Sequence, residues 1–292
     1  MRKRFWYLPL AVLLLAGLLL VVYLNHHSLA VLSPEGPISS KERGLMSLAI
    51  LLSIIVVVPV YIMTIAIVWK YRERNHSKSK YTPDWDRSWL FETIWWGIPL
   101  IIISILSVAT WQSSHTLDPY RSLTASKQPL TIQVISLDWK WLFIYPQQQI
   151  ASVNYVAIPT DTPINFEITS DTVMNSFWIP QLGGQIYAMP GMSTELHLMA
   201  GKPGSYRGSS ANISGKGFAG MNFMTVASNT ADFGHWVDSV RESNTTLDQS
   251  TYQQLARPSN VSVSTYAQAD RKLYDAVMMK YMMPPSATGV QQ

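Results

Sequence analysis

The sequence predicts a membrane-anchored all-β protein. Two transmembrane helices, preceded by an N-terminal signal or anchor helix, lead into a β-sandwich or barrel that ends in a helical C-terminal tail. Three observations carry this. Charge-free apolar runs crowd the first 111 residues, and about 20 such residues suffice to cross a bilayer. Beyond residue 125 the texture changes to short β-rich runs broken by Pro, Gly and Asn. The chain is 48% hydrophobic and only 14% charged, with 11 Trp and 14 Tyr, a composition that points to membrane contact.

The first apolar run, "FWYLPLAVLLLAGLLLVVYL" over residues 5–24, follows Arg2, Lys3 and Arg4. A basic start before an apolar run opens a signal peptide, and the same run is long enough to be an uncleaved anchor, so residues 1–30 carry both readings. "HSLA", ending at Ala30, offers a small-x-small cleavage site, and the absence of Cys excludes lipid attachment at a lipobox. The membrane hairpin is expected over residues 31–124, with spans from about Leu45 to Trp69 and from about Thr93 to Trp111. Each ends in the Trp of an interfacial belt. Pro59 and Pro99 lie inside them, which membrane helices tolerate. The connecting loop holds Lys70, Arg72, Arg74, Lys78, Lys80 and Arg87, whereas the loop before the first span has only Lys41 and Arg43. Short loops rich in Lys and Arg stay in the cytoplasm, which sends everything after Trp111 to the outer face, the periplasm in a Gram-negative cell.

Strands are expected at "LTIQVISL", "INFEITS", "TELHLMA" and "FMTVA", within a β domain over residues 125–228. Residues 229–292 return to helical periodicity in "ADFGHWVDSVRES" and "AQADRKLYDAVMMKYMM", joined by a polar Ser/Thr/Asn/Gln stretch.

Composition also excludes. With no Cys, disulfides, thiolate zinc sites, thiol nucleophiles, iron–sulfur clusters and cysteine-dependent copper sites are ruled out. A formal charge of +4, dispersed along the chain, gives no footprint for nucleic acid. Of the six His, only His197 and His235 lie in the outer part, and no pair has ligand spacing. No Gly-x-Ser-x-Gly elbow is present, which argues against a serine hydrolase.

Four features carry both a functional and a packing reading. Met189/Met192, Met221/Met224 and Met278/Met279/Met282/Met283 offer soft thioethers for cuprous ions. Packing is the better reading for these methionines, since Met fills irregular cores and the last group shares a helix with Leu273, Val277 and Tyr281. "DWKWLFIYP" reads as strand core before it reads as an electron-entry patch. Glu92 opens the second span, as a first-turn acid favoured by the helix dipole or as a proton acceptor at the mouth of an intramembrane path. Finally, Ser210, Ser214, Phe218 and Met221 recur at intervals of four, four and three in a glycine-rich loop, the rhythm of a metal-binding loop without its ligands.

The order of parts, "ETIWWGIP", "DWKWLFIYP", "VMNSFWIP" and "GSSANISGKGFAGM", resembles subunit II of the haem–copper oxidases over nearly the whole chain. In the cytochrome c oxidase branch the loop reads Cys-x-Glu-x-Cys-x-x-x-His-x-x-Met, after a His on an earlier strand, and holds a dinuclear copper centre. Here the first His position falls on Asn175, the two Cys on Ser210 and Ser214, the Glu on Asn212, the second His on Phe218 and the Met on Met221. The resemblance therefore implies the quinol oxidase branch, the cytochrome bo type, with a copper-free cupredoxin-like domain. It further implies that no cofactor resides in this chain, that haems and copper sit in subunit I, and that Glu92 is a carboxylate at the entrance of a proton channel. The aromatic and Met-rich tail also looks like that branch. The implied partners are subunit I and further subunits of the complex, membrane lipid, and ubiquinol as the substrate of the complex, in a bacterial inner membrane. The competing reading is a non-enzymatic membrane-anchored scaffold or copper-delivery protein that uses the Met clusters.

Overall fold

The computed structural model describes residues 29–71 and 87–282. The N-terminal apolar run, most of the basic loop, His26, His27, His76 and Met283 lie outside the described residues. Among the described residues, two helices are long and apolar enough to cross a membrane, α1 (Pro37–Lys70) and α2 (Trp89–Thr116). Both extend beyond the apolar spans expected from sequence, because hydropathy marks the lipid-facing stretch and not the helix ends. Helix α1 starts early at a proline, whose missing N–H and fixed φ suit the first helical position, and runs on through Lys41, Glu42 and Arg43.

The chain divides into two units, Lys41–Asp118 and the remainder. Within the first, Leu45, Leu48 and Ala49 face Leu106, Ala109 and Thr110 across a groove of about 300 Å³. Most other apolar side chains of this unit are exposed, among them Tyr61, Val68 and Trp96, as lipid-facing or partner-facing helices require.

The second unit is built on two sheets. Its strands are β1 (Leu130–Leu137), β2 (Lys140–Tyr145), β3 (Ile150–Val153), β4 (Tyr155–Pro159), β5 (Ile164–Ser170), β6 (Asn175–Trp178), β7 (Gln185–Ala188), β8 (Thr194–Leu198), β9 (Gly204–Ser210) and β10 (Asn222–Ser228). The tail adds α3 (Thr230–Arg241), β11 (Thr246–Leu247), α4 (Gln249–Leu255), β12 (Ser264–Tyr266), β13 (Gln268–Ala269) and α5 (Leu273–Met282). One sheet runs β12-β3-β2-β1-β5-β8 and the other β4-β10-β9-β6-β7. β1–β5 and β4–β10 pair in parallel, within otherwise antiparallel neighbours.

Every residue of β2 is buried, and the period-2 geometry of a strand explains why. Trp141, Phe143 and Tyr145 point into the core between the sheets, where Phe177 and Phe223 stack at 5.1 Å and Trp141 meets Phe177 edge-on at 5.4 Å. Leu142 and Ile144 point the other way, into a second core closed by Leu247, Tyr252, Leu255, Leu273, Tyr274 and Val277 of the tail. Burying an aliphatic side chain such as Leu273 contributes about 1.5–3 kcal/mol, so the tail is a structural layer of this unit.

The stretch expected to be a polar linker is therefore ordered. Asp248 caps α4 by accepting from the Thr251 N–H at 2.8 Å, and β12 joins the edge of the six-stranded sheet against β3. Burial of the Lys140 ammonium draws its pKa below the ordinary lysine value, against the opposing pull of Asp138. The group donates to Leu255 O (2.8 Å), Arg257 O (2.7 Å) and Ser259 Oγ (2.9 Å), which satisfies all three of its protons.

The packing expected of the C-terminal methionines is only partly realised. Leu273, Tyr274 and Val277 supply the buried face of α5, whereas Met279 and Met282 are exposed, because they fall on the opposite side of the same helix.

Candidate functional site

The loop between β9 and β10 closes on itself through the Ser210 N–H to Met221 O (3.2 Å), with the Ala211 N–H bonded to Ser176 O (3.0 Å). The backbone thereby brings together residues that are far apart in sequence. Ser210 Oγ lies 3.1 Å from both Asn175 Oδ1 and Asn212 O, so its single proton serves one acceptor at a time. Asn212 Nδ2 donates to Met174 O at 2.9 Å, and Ser214 Oγ reaches Met221 Sδ at 3.8 Å. Asn175, Ser210 and Met221 are buried, while Ser214 and Phe218 are half-buried, Phe218 opening a short 3₁₀ turn at residues 218–220. The positions singled out in the sequence therefore form contacting pairs, Asn175 with Ser210 and Ser214 with Met221.

Trp139 completes the site, and its role was not legible in the sequence. It occupies the second position of the two-residue turn between β1 and β2 with φ 64°, a left-handed conformation that costs a non-glycine residue about 1–2 kcal/mol. That geometry lays its ring on the loop, where Nε1 donates to Ser214 O at 3.2 Å. Gly217 is required there, since a Cβ would come within 2.2 Å of the indole.

Two hydroxyls, two amides, a phenyl ring and one thioether do not make a soft-metal site, because dinuclear copper needs thiolate and imidazole. Among the described residues, no group of three or more His, Cys, Asp or Glu is placed to hold a metal ion. Of the outer histidines, His197 bonds to Pro119 O through Nδ1 (2.9 Å), and His235 is exposed on α3. Loading the purified chain in detergent with copper is expected to give no stoichiometric ion pair. A bound pair with an intense visible band would contradict this.

Beside the loop, Asp171 gathers the tail. Its side chain, 4% exposed, accepts from Tyr252 Oη (2.7 Å), Lys280 Nζ (2.7 Å) and Tyr281 Oη (2.9 Å). Burial first and the Asp171 carboxylate second push the Tyr252 phenol above its ordinary value. The hydrogen bond to Asp171 lifts the Lys280 ammonium above the usual lysine value. The stabilisation from that pair is thus fully present below the unfolded lysine pKa and is lost only as pH rises through the raised value. None of the four residues of this cluster carried a motif signal.

Glu92 lies in the first turn of α2, its N–H bonded to Ser88 O and its carboxylate 3.7 Å from Arg87 Nε. The side chains of the pair are 84% exposed for Arg87 and 32% for Glu92, so the ion pair itself contributes little.

Comparison with known proteins places this geometry. Residues 145–228 match the family described as "Cytochrome C oxidase subunit II, periplasmic domain", and residues 241–285 match "COX Aromatic Rich Motif". The chain is 46% identical over 282 residues to cytochrome bo(3) ubiquinol oxidase subunit 2 of Pseudomonas aeruginosa, covering 96% of this chain and 85% of that protein. It is 45% identical over 280 residues to ubiquinol oxidase subunit 2 of Acetobacter aceti, covering 94% and 91%. A solved periplasmic domain of subunit II of the cytochrome oxidase of Bradyrhizobium japonicum aligns with 26% identity over 40% of this chain and 96% of that one, with a TM-score of 0.37. On the strength of its full-length relatives, the chain belongs to the subunit II family of the haem–copper oxidases, in the quinol oxidase branch.

Proposed function

We propose that this chain serves as subunit II of a proton-pumping ubiquinol oxidase, anchoring its β domain in a bacterial inner membrane while the oxygen chemistry proceeds in subunit I. The chain is a subunit of an oxidoreductase complex and works with oxidase partners. In this reading the hairpin of residues 31–124 crosses the membrane, and residues 125–228 with the 229–292 tail face the periplasm. The bias of basic residues towards the loop from Lys70 to Arg87 supports that orientation. Haems and copper belong to the partner, since this chain offers no paired intramembrane His.

The observation that carries the reading is the loop frame itself. Asn175, Ser210, Asn212, Ser214 and Phe218 stand where the resemblance places copper ligands, and Ser210 bonds to Asn175 and Asn212 through neutral groups. An electron relay on the outer face needs a metal there, whereas a lipid-soluble quinol can deliver electrons within the membrane without one. Glu92 is the carboxylate that this reading assigns to the proton path.

Affinity purification through a tag on this chain is the test. The oxidase reading expects a many-helix subunit with haem absorption to come out in fixed stoichiometry with it. A chain that purifies alone from membranes and binds copper through its methionines would favour the scaffold or delivery protein.

A further inference from the structure

The tail and the 210–221 loop share no direct hydrogen bond among those described, yet a continuous path of side chains joins them. Tyr252 from α4, with Lys280 and Tyr281 from α5, converges on the Asp171 carboxylate. The next residue, Thr172, is fixed by its N–H to Ser170 Oγ at 3.2 Å and donates its hydroxyl to Asp138 Oδ1. Asp138 and Trp139 form the tight β1–β2 turn, and Trp139 covers Gly217 and holds Ser214 O. A second branch runs from Ser170 Oγ to Val173 O (2.9 Å), then through Asn175 Nδ2 to the same carbonyl (3.1 Å), and from Asn175 to Ser210.

We propose that the C-terminal segment is a positioning device for this loop: by clamping Asp171 it fixes Thr172 and the Asp138–Trp139 turn, and these hold residues 210–221 in one conformation. Without a metal cross-link the loop is ordered at its ends by hydrogen bonds such as Ala211 N–H to Ser176 O, while across its middle Ser214 meets Met221 only at 3.8 Å. The left-handed Trp139 also needs an external support, because that backbone conformation is unfavourable for an indole residue. The clamp supplies both. It sets the shape of an exposed apolar rim made by Val173, Met174 and Ile213, the last 81% exposed.

Hydrogen exchange on the purified complex in detergent separates this device from ordinary tail packing, and it does not depend on the electron donor. Asp171→Ala is expected to speed exchange in α4 and α5 and, by about tenfold, in residues 211–220, which Asp171 does not touch. Thr172→Val cuts the path downstream of the clamp. It is expected to speed exchange in residues 211–220 by a similar factor while residues 249–282 stay protected. The double variant should loosen the loop no more than the stronger single change, because both act on one path. Unchanged exchange of residues 211–220 in Thr172→Val would overturn the proposal, as would loosening in Asp171→Ala confined to the tail.

Discussion

Replacing Glu92 by Gln is expected to lower quinol oxidase turnover severalfold while the complex assembles with its normal haem content. The substitution keeps size and hydrogen-bonding capacity and removes only the titratable proton. If the carboxylate were merely a favourable first-turn charge, its loss would cost about 0.3–1 kcal/mol. The exposed contact with Arg87 adds little to that. Such a sum is too small to disturb assembly, so the structural role alone predicts nearly unchanged turnover. A proton-delivery role predicts slow turnover in an intact complex, because a proton that must bypass the missing carboxyl enters the path more slowly. The measurement is oxygen uptake per haem with saturating quinol. Turnover equal to the unsubstituted complex would remove Glu92 from the mechanism, and parallel loss of complex and activity would make it structural.

Lys140→Met is expected to release the tail. Methionine fills the aliphatic volume but removes the donor to the buried Leu255 carbonyl, and leaves Arg257 O with only the Ser259 hydroxyl. One buried acceptor left unpaired in this way costs about 1–3 kcal/mol. Cleavage by an added protease within residues 255–263 should then rise roughly tenfold, since cleavage follows the population of the open form. Ser259→Ala removes one acceptor of Lys140 and the exposed Ser259 hydroxyl donor to Arg257 O, but leaves Lys140 on both carbonyls, and should have a far smaller effect. Equal protection in Lys140→Met and the unsubstituted protein would show that the second apolar core alone holds the tail.

The difference between these two residues shows what the sequence discloses. Glu92 stood out because it opens a charge-free run, a signal carried by neighbours in sequence. The strands at residues 130–137 and 164–170 were legible for the same reason, since their β-rich runs are bounded by turn residues. Lys140 was not, because its environment is assembled from Leu255, Arg257 and Ser259, more than a hundred positions away. The stretch from 244 to 266 looked like a linker because its surface is polar, and a few buried anchors, Leu247, Tyr252 and Leu255, decide its fold. Its one local sign was Asp248 ahead of "QSTYQQL", an N-cap signature. At the loop, the rhythm of Ser210, Ser214, Phe218 and Met221 could be read directly. The contacts of Asn175 with Ser210 and of Trp139 with Gly217 depend on strand register and on a left-handed turn, which composition does not encode.

Electrons are expected to reach this complex from a quinol in the membrane, without a metal relay in this chain. The direct measurement is oxygen consumption by the purified complex with each donor in turn, ubiquinol and reduced cytochrome c, at matched electron supply. The account predicts rapid uptake with ubiquinol and none above background with cytochrome c. Cytochrome c-driven turnover at a rate comparable to that with ubiquinol would contradict it, even with the fold and the neutral loop as described.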